Sequence, residues 1–195
     1  MSHPQPLSSR LERLRQRLAT HQPRVDEEQG ELIWAAVAVV VVPDPDSLLL
    51  IRRAERVGDP WSGHMALPGG RRGQEDPDLI ATAVRETAEE VGLELLPAHL
   101  IGSLDDVVPR TPVLPPIAVR PYVFLLPDRP ALTLNPEVDA ASWVSLDLLL
   151  QPGTHGSVRI EIRGENRDMP AYRLEDGVVW GLTERVITSF LQLSS

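Results

Sequence analysis

Three carboxylates and a guanidinium crowd into six consecutive positions, as Arg85, Glu86, Glu89 and Glu90. A helix turns about 100° per residue, so Glu86 and Glu90 stack one above the other and Glu89 lies about 60° to one side. Ile80, Val84, Ala88 and Val91 fall on roughly the opposite side and are the expected core face. The acids are therefore expected to point together, away from the core. Like charges four residues apart repel, and carboxylates near a helix C-terminus oppose the macrodipole. A merely solvated acidic face would sit more comfortably in the first turn, whereas a hard divalent cation bound by oxygen ligands removes the conflict. Glu86 and Glu90, with Glu89 beside them, could hold Mg²⁺ or Mn²⁺, and such an ion can clamp a diphosphate and help generate hydroxide. Arg85 precedes Glu89 by four residues and is expected to pair with it and orient it. Upstream, Gly69 and Gly70 let the backbone approach a ligand closely and can offer a carbonyl oxygen.

The stretch 67–93, from Pro68-Gly69-Gly70 to Gly92-Leu93, resembles the Nudix box of the Nudix hydrolase superfamily, G-x5-E-x7-R-E-U-x-E-E-x-G-U with U apolar. Arg85-Glu86-Thr87-Ala88-Glu89-Glu90-Val91-Gly92-Leu93 matches its second half, with Thr87 at a usually aliphatic position. The first half departs. Gly70 lies one residue farther from Arg85 than the pattern has it, and Pro77 stands at the early glutamate position. Glu75, Asp76 or Asp78 could stand in after a one-residue loop extension, a longer loop that the coenzyme A pyrophosphatase-like branch carries. That branch is also resembled by Leu49-Leu50-Ile51-Arg52-Arg53-Ala54 and by Trp180-Gly181-Leu182-Thr183, similar to its W-G-x-T. Of its L-R-x-H-x-G-Q-x-x-F-P-G-G signature, Gly63 and the Pro-Gly-Gly are kept. Asp59, Trp61, His64 and Leu67 replace the arginine, histidine, glutamine and phenylalanine.

The resemblance implies a Nudix α/β/α sandwich with a mixed sheet. It further implies metal binding at Glu86 and Glu90, a further metal or water at Glu89, and a contribution from the Gly70 carbonyl. The implied reaction is attack of water on one phosphorus of a nucleoside diphosphate linked to another moiety. Glu89 is the candidate base inside the box, alongside Glu86 and Arg85 as catalytic candidates; Glu137, Asp105 and Asp106 are rivals outside it. Coenzyme A or a derivative leads the substrates. ADP-ribose, a dinucleotide or a damaged nucleoside triphosphate is the alternative within the class, and a non-catalytic nucleotide-binding module the alternative outside it. Candidate substrate contacts are Arg53, Gly69, Arg71, His64 and Trp61: arginine's fork suits phosphate, Trp61 could stack on a base, and His64 could contact phosphate or move a proton. Arg52, Arg56, Arg72, Arg110 and Arg120 also flank the box, and two or three arginines of the whole set are expected to reach substrate.

Composition narrows the classes further. The chain has 195 residues, 42% hydrophobic, enough for one domain with a real core. It has no cysteine, so thiol nucleophiles and cysteine–zinc sites are excluded. All 19 basic residues are arginines, which rules out Schiff-base and P-loop lysine chemistry. A net charge of -9 argues against a nucleic acid polymer as partner. The longest apolar run, 32–42, is too short to span a bilayer, so no membrane partner and a cytoplasmic location are expected. A small-molecule nucleotide diphosphate is the expected partner, and a homodimer the candidate assembly.

The elements that must position these residues follow from periodicity. Leu7, Leu11, Leu14 and Leu18 predict an amphipathic helix capped by Ser8 or Ser9, which with its connection forms an N-terminal unit 1–30 ahead of a hydrolase domain 31–195. Residues 31–42 read as a buried central strand, with a turn at 43–46 and a returning strand 47–52. A loop, 53–65, leads into the box. Strands are predicted at 100–104, 117–126 and 138–144, a helix at 146–150, a hairpin from 159–162 and 169–174, and a last helix from Gly181 to Leu193. The proline-rich segment 105–116 reads as too stiff and polar for the core. Trp180, Tyr122, Phe124 and Trp143 read as core.

Overall fold

The computed structural model describes residues 7–25, 32–55, 63–108, 116–162 and 164–194. Trp61, Asp59, Arg56 and Arg110 lie outside the described residues. The fold is built around β1 (Ile33–Val42), whose ten residues are apolar without alternation because both faces are covered. Val39 and Val41 face one core, while Ala36, Ala38, Val40 and Val42 face another. Parallel pairing with β6 (Ile117–Leu125) runs from Ile33 opposite Ile117 to Val41 opposite Leu125. Antiparallel pairing of β1 with β2 (Ser47–Arg53) closes the predicted hairpin. The mixed seven-stranded sheet is completed by β3 (Met65–Ala66), β4 (Gly69–Arg71), β5 (Leu100–Ser103) and β7 (Val138–Ser145).

Helices cover both faces, giving the expected α/β/α layering. On one side lie α1 (Ser9–Thr20) and α4 (Gly181–Ser194), whose Leu11, Leu14, Leu18, Val186, Ile187 and Phe190 pack with Val39 and Val41. Ser8 caps α1 by accepting from Leu11 N–H at 3.1 Å, and the Arg17 guanidinium donates to the Gln192 and Leu193 carbonyls at the end of α4. On the other side α2 (Leu79–Val91) packs Leu79, Ala83 and Val91 over Ala36 and Ala38, where small side chains let the helix approach. The short α3 (Leu146–Leu150) follows β7. A second sheet of β8 (His155–Ile162), β9 (Glu165–Leu174) and β10 (Gly177–Trp180) leads into α4.

Three expectations are corrected. Pro68-Gly69-Gly70 is not only a turn, because Gly69 and Gly70 pair with Val37 and Ala36 as strand β4. The hairpin predicted from 159–162 and 169–174 is a longer ribbon plus a third strand, β10, since pairing extends past the apolar alternation. In the proline-rich segment Val107 is buried and bridges Val119, and the Asp106 carboxylate is buried because Arg120 grips it bidentately at 2.9 Å. Arg120 in turn stacks over Trp34, 5.2 Å from the ring centre.

Candidate active site

The loop ahead of α2 is folded around one ion pair. Arg85 donates from Nε and Nη2 to the two oxygens of Asp76, both at 2.9 Å. Asp76 also accepts from Gly73 N–H at 2.7 Å and from the Thr82 hydroxyl at 2.9 Å. Arg72 is bound to the Pro77 carbonyl at 2.8 Å. Of the three acids that could stand in for the early glutamate, Asp76 is thus the one joined to Arg85, while Asp78 caps α2 by accepting from Ala81 N–H at 2.8 Å. The hydrogen bonds from Arg85 hold the Asp76 carboxyl well below the usual carboxylate range, and those from Gly73 and Thr82 add to the effect against the cost of burial. Thr82 and Gly73 carry no periodic or charge signal, and the sequence alone did not mark them.

The same arginine reaches the box acids, donating from Nη1 to Glu86 Oε1 at 2.9 Å and to Glu89 Oε2 at 3.1 Å. Glu86 lies against the corner of β4: a Cβ on Gly70 would stand 2.4 Å from its carboxyl carbon. Gly69, at φ +147, sits where a Cβ would be 2.3 Å from the Ala36 carbonyl, so only glycine fits there. Its N–H donates to Glu90 Oε2 at 2.9 Å.

That bond explains a departure from the expected helix face. Glu90 is 4% exposed and points inward, whereas Ala88, expected in the core, is exposed. The buried face runs through Leu79, Ala83, Thr87 and Val91, with Ile80 and Val84 half-buried at its margin. Two glycines leave a hollow under the last turns of α2, and the Gly69 N–H there holds the Glu90 carboxylate. Thr87 is buried because its hydroxyl donates to the Ala83 carbonyl at 2.7 Å. Only Glu89, with its side chain 54% exposed, behaves as a solvated acid.

Glu86 and Glu90 open into a cleft of about 530 Å³ between β4, the β3 strand and the start of α4. Burial pushes the Glu90 carboxyl up from 4.5 to about 7; Gly69 N–H opposes this, and the Glu86 and Glu137 charges reinforce it. Burial likewise raises Glu86, against the pull of Arg85, with Glu89 and Glu137 adding to the rise. Arg53 and Arg71 line the cleft, as do Glu137, Gly69, Gly70 and His64. His64 stands edge-on to Trp180, with ring centres 5.1 Å apart, and Trp180, Gly181, Leu182 and Thr183 form the facing wall. Val37, Val119, Met65 and Leu67 supply an apolar floor.

Other flanking residues are engaged elsewhere. Arg52 pairs with Asp139 at 2.6 Å, and Arg72 and Arg120 hold the loops described above. Asp105 accepts from Arg24 N–H at 3.0 Å, and neither it nor Asp106 lines the cleft. Glu89 is also outside the lining, exposed and bonded to Arg85.

The donor set suits a hard divalent cation. The carboxylates of Glu86 and Glu90, with the Gly70 backbone beside them, offer hard oxygen ligands in one cleft, and burial raises both carboxyls, with the neighbouring carboxylate charges adding to the rise. Among the described residues no three acidic or histidine side chains converge as a ready-made ligand set. A cation here would take one or two carboxylates and complete its shell with water and substrate oxygen, as Mg²⁺ usually does.

Comparison with known proteins agrees with this geometry. The NUDIX domain matches residues 33–162. The Schizosaccharomyces pombe protein C14C4.10c is 43% identical over 119 residues, 58% of this chain, which spans 36% of that protein's length. A Nudix hydrolase named NudL from Photorhabdus laumondii is 30% identical over 159 residues, 81% of this chain and 83% of the relative. The crystal structure of a MutT/nudix family protein from Enterococcus faecalis shares the fold, with a TM-score of 0.61 at 20% identity over 97% of this chain and 75% of that one. With the Glu86 and Glu90 carboxylates, a glycine corner and an arginine clamp in the matched region, the chain belongs to the Nudix hydrolase family.

Proposed function

We propose that this Nudix hydrolase cleaves the diphosphate bond of a nucleoside diphosphate linked to another moiety, with coenzyme A or a derivative as its first substrate. One observation carries the reading. The Trp180–Thr183 segment, which resembles the coenzyme A pyrophosphatase-like branch, walls the same cleft as Glu86 and Glu90, about ninety residues earlier in the chain. The cleft's lining combines charged groups that suit a diphosphate, Arg53, Arg71, Glu86 and Glu90, with apolar and aromatic ones, Trp180 among them, that suit an uncharged arm or base. The alternative substrates, ADP-ribose or a dinucleotide, would use the same charged groups. They are favoured to the extent that Leu67, which replaces the branch's phenylalanine, and His64, which replaces its glutamine, change that wall.

Within this proposal Glu86, Glu90 and the Gly70 carbonyl hold Mg²⁺ or Mn²⁺. When bound, such an ion polarises phosphoryl oxygens and neutralises charge developing at the diphosphate. Gly69 N–H fixes one Glu90 oxygen and leaves the other to the cleft. Arg85 orients Glu86 and Glu89 and is held by Asp76, so it positions ligands rather than touching substrate. Arg53 and Arg71 supply phosphate contacts. Glu137 takes the proton from the attacking water: it lines the cleft, whereas Glu89 lies outside the lining and is bonded to Arg85. A cytoplasmic setting belongs to the same proposal; among the described residues no helix is long and apolar enough to cross a membrane.

The test is a panel of nucleotide-linked diphosphates incubated with Mg²⁺ or Mn²⁺, with products identified by mass. Coenzyme A should yield adenosine 3′,5′-bisphosphate and 4′-phosphopantetheine, one phosphate of the cleaved diphosphate remaining on each. A tenfold preference for ADP-ribose or a dinucleotide in kcat/KM would replace coenzyme A as the substrate. Glu137→Gln should lower kcat on the order of 10²-fold with little change in KM; an unchanged kcat would return the base to Glu89.

A further inference from the structure

The ribbon formed by β8 and β9 projects a surface that neither core uses. Val158, Ile160 and Ile162 alternate along β8 with exposed Ser157, Arg159 and Glu161. The three apolar side chains are half-buried yet belong to neither hydrophobic core. In the second sheet the strand order is β10-β9-β8, so β8 is an edge. An edge strand with an apolar stripe and no proline along it is a template for another strand.

Hydrogen-bond parity fixes which residues that edge offers. Arg173 N–H donates to the Thr154 carbonyl at 2.8 Å, with His155 opposite Tyr172, so even-numbered β8 residues exchange bonds with β9. Ser157, Arg159 and Glu161 therefore turn their N–H and C=O groups outward. The Ser157 carbonyl is already covered by the Arg173 guanidinium, which crosses at Gly156. The open stretch is Arg159–Glu161.

We propose that this edge is a homodimer interface in which β8 of two copies pairs antiparallel about a two-fold axis at Ile160. An isologous contact must satisfy parity and charge in one register. Parity requires outward residues to face outward residues. With Arg159 on the axis, two arginines would meet; with Glu161 on the axis, two glutamates would meet. With Ile160 on the axis, Arg159 of each copy lies opposite Glu161 of the other, and both pairs are of opposite sign. On the other face Ile160 meets Ile160 and Val158 meets Ile162, so each β-branched residue has a β-branched partner. One register thus satisfies the backbone, the charges and the apolar stripe together, and it joins two three-stranded sheets into one of six strands. Asp168, already 3.2 Å from Arg159 within the ribbon, adds a second acid to each charged pair.

The test uses the full chain in sedimentation equilibrium and light scattering from 1 to 200 µM. The wild type should be a dimer. Arg159→Glu or Glu161→Arg alone should weaken association at least tenfold, because each creates like-charged pairs twice across the axis. The double variant Arg159→Glu/Glu161→Arg should recover it. Because the chain has no cysteine, Ile160→Cys gives an independent reading. Only in this register does residue 160 face itself closely enough for a disulfide, so mild oxidation should give a covalent dimer, and Arg159→Glu should abolish the cross-link. A wild type monomeric at 200 µM, or a dimer indifferent to both single charge changes, would overturn the proposal.

Discussion

Two sets of acids flank Arg85, and they are in opposite electrostatic condition. Asp76 is buried and fully answered, by two guanidinium bonds, a backbone N–H and a hydroxyl, and its carboxyl is held down. Glu86 and Glu90 are also withdrawn from water, and there burial wins: Arg85 divides its bonds among Asp76, Glu86 and Glu89, Glu90 accepts from the Gly69 N–H with the Arg53 charge nearby, and both carboxyls are still pushed up. The first set is closed and structural. The second faces the cleft with both carboxyls raised, a condition that a bound cation would relieve. A buried acid therefore says little about function until its partners are counted.

The sharpest way to break this contrast is to neutralise the open set. Glu90→Gln should lower Mg²⁺-dependent kcat by about 10³-fold and abolish the calorimetric signal of Mg²⁺ binding, while the fold stays intact. Undiminished turnover would remove Glu90 from the metal site. Asp76→Ala attacks the closed set and should instead reduce stability by about 3 kcal/mol in urea unfolding at pH 7, the lower end for a broken buried pair because the Arg85 side chain is 34% exposed. Because the Asp76 carboxyl is held down, its contribution is present above its unfolded pKa, near 3.8, and fades as pH falls below that. The deficit of the alanine variant should therefore shrink at pH 3; a pH-independent deficit would mean that packing, not charge, is lost.

Glu90 predicts the opposite slope. Its carboxyl is raised from 4.5 to about 7, so the fold favours its neutral form. In EDTA the wild type should keep this stability below pH 4.5 and lose up to about 3 kcal/mol as pH rises through 7. Glu90→Gln should flatten that slope, and Mg²⁺ should restore wild-type stability at pH 8. Parallel pH curves for wild type and variant would show that Glu90 is not strained in the metal-free protein. The smallest effect belongs to Thr87, a buried polar group already satisfied within its own helix. Thr87→Val should change stability by about 1 kcal/mol or less and leave kcat unchanged.

Local pattern made much of the architecture legible. The unbroken apolar run of β1, the leucine spacing of α1 and the terminal stripe of α4 each have a period or a composition of their own. β3, β4 and β10 are two to four residues long and have no period to read; pairing with neighbours distant in sequence creates them. The seven arginines near the box looked equivalent in sequence. Those that are described divide by partner, with Arg53 and Arg71 in the cleft and Arg52, Arg72 and Arg120 committed to loops and strands.

By itself the sequence determined the family, because Arg85, Glu86, Glu89 and Glu90 at fixed helical spacing, closed by Gly92, resemble the second half of the Nudix box within one element, and it is that resemblance that implies the reaction. Tertiary structure decided which acids face the chemistry. Glu90 turns inward only because Gly69 and Gly70, brought under α2 by pairing with β1, leave both a hollow and an N–H. Glu137 and the Trp180–Thr183 wall join the site only when the chain folds back on itself. Helical periodicity fixes the angle between side chains, but what lies opposite each one depends on a partner that local sequence does not contain.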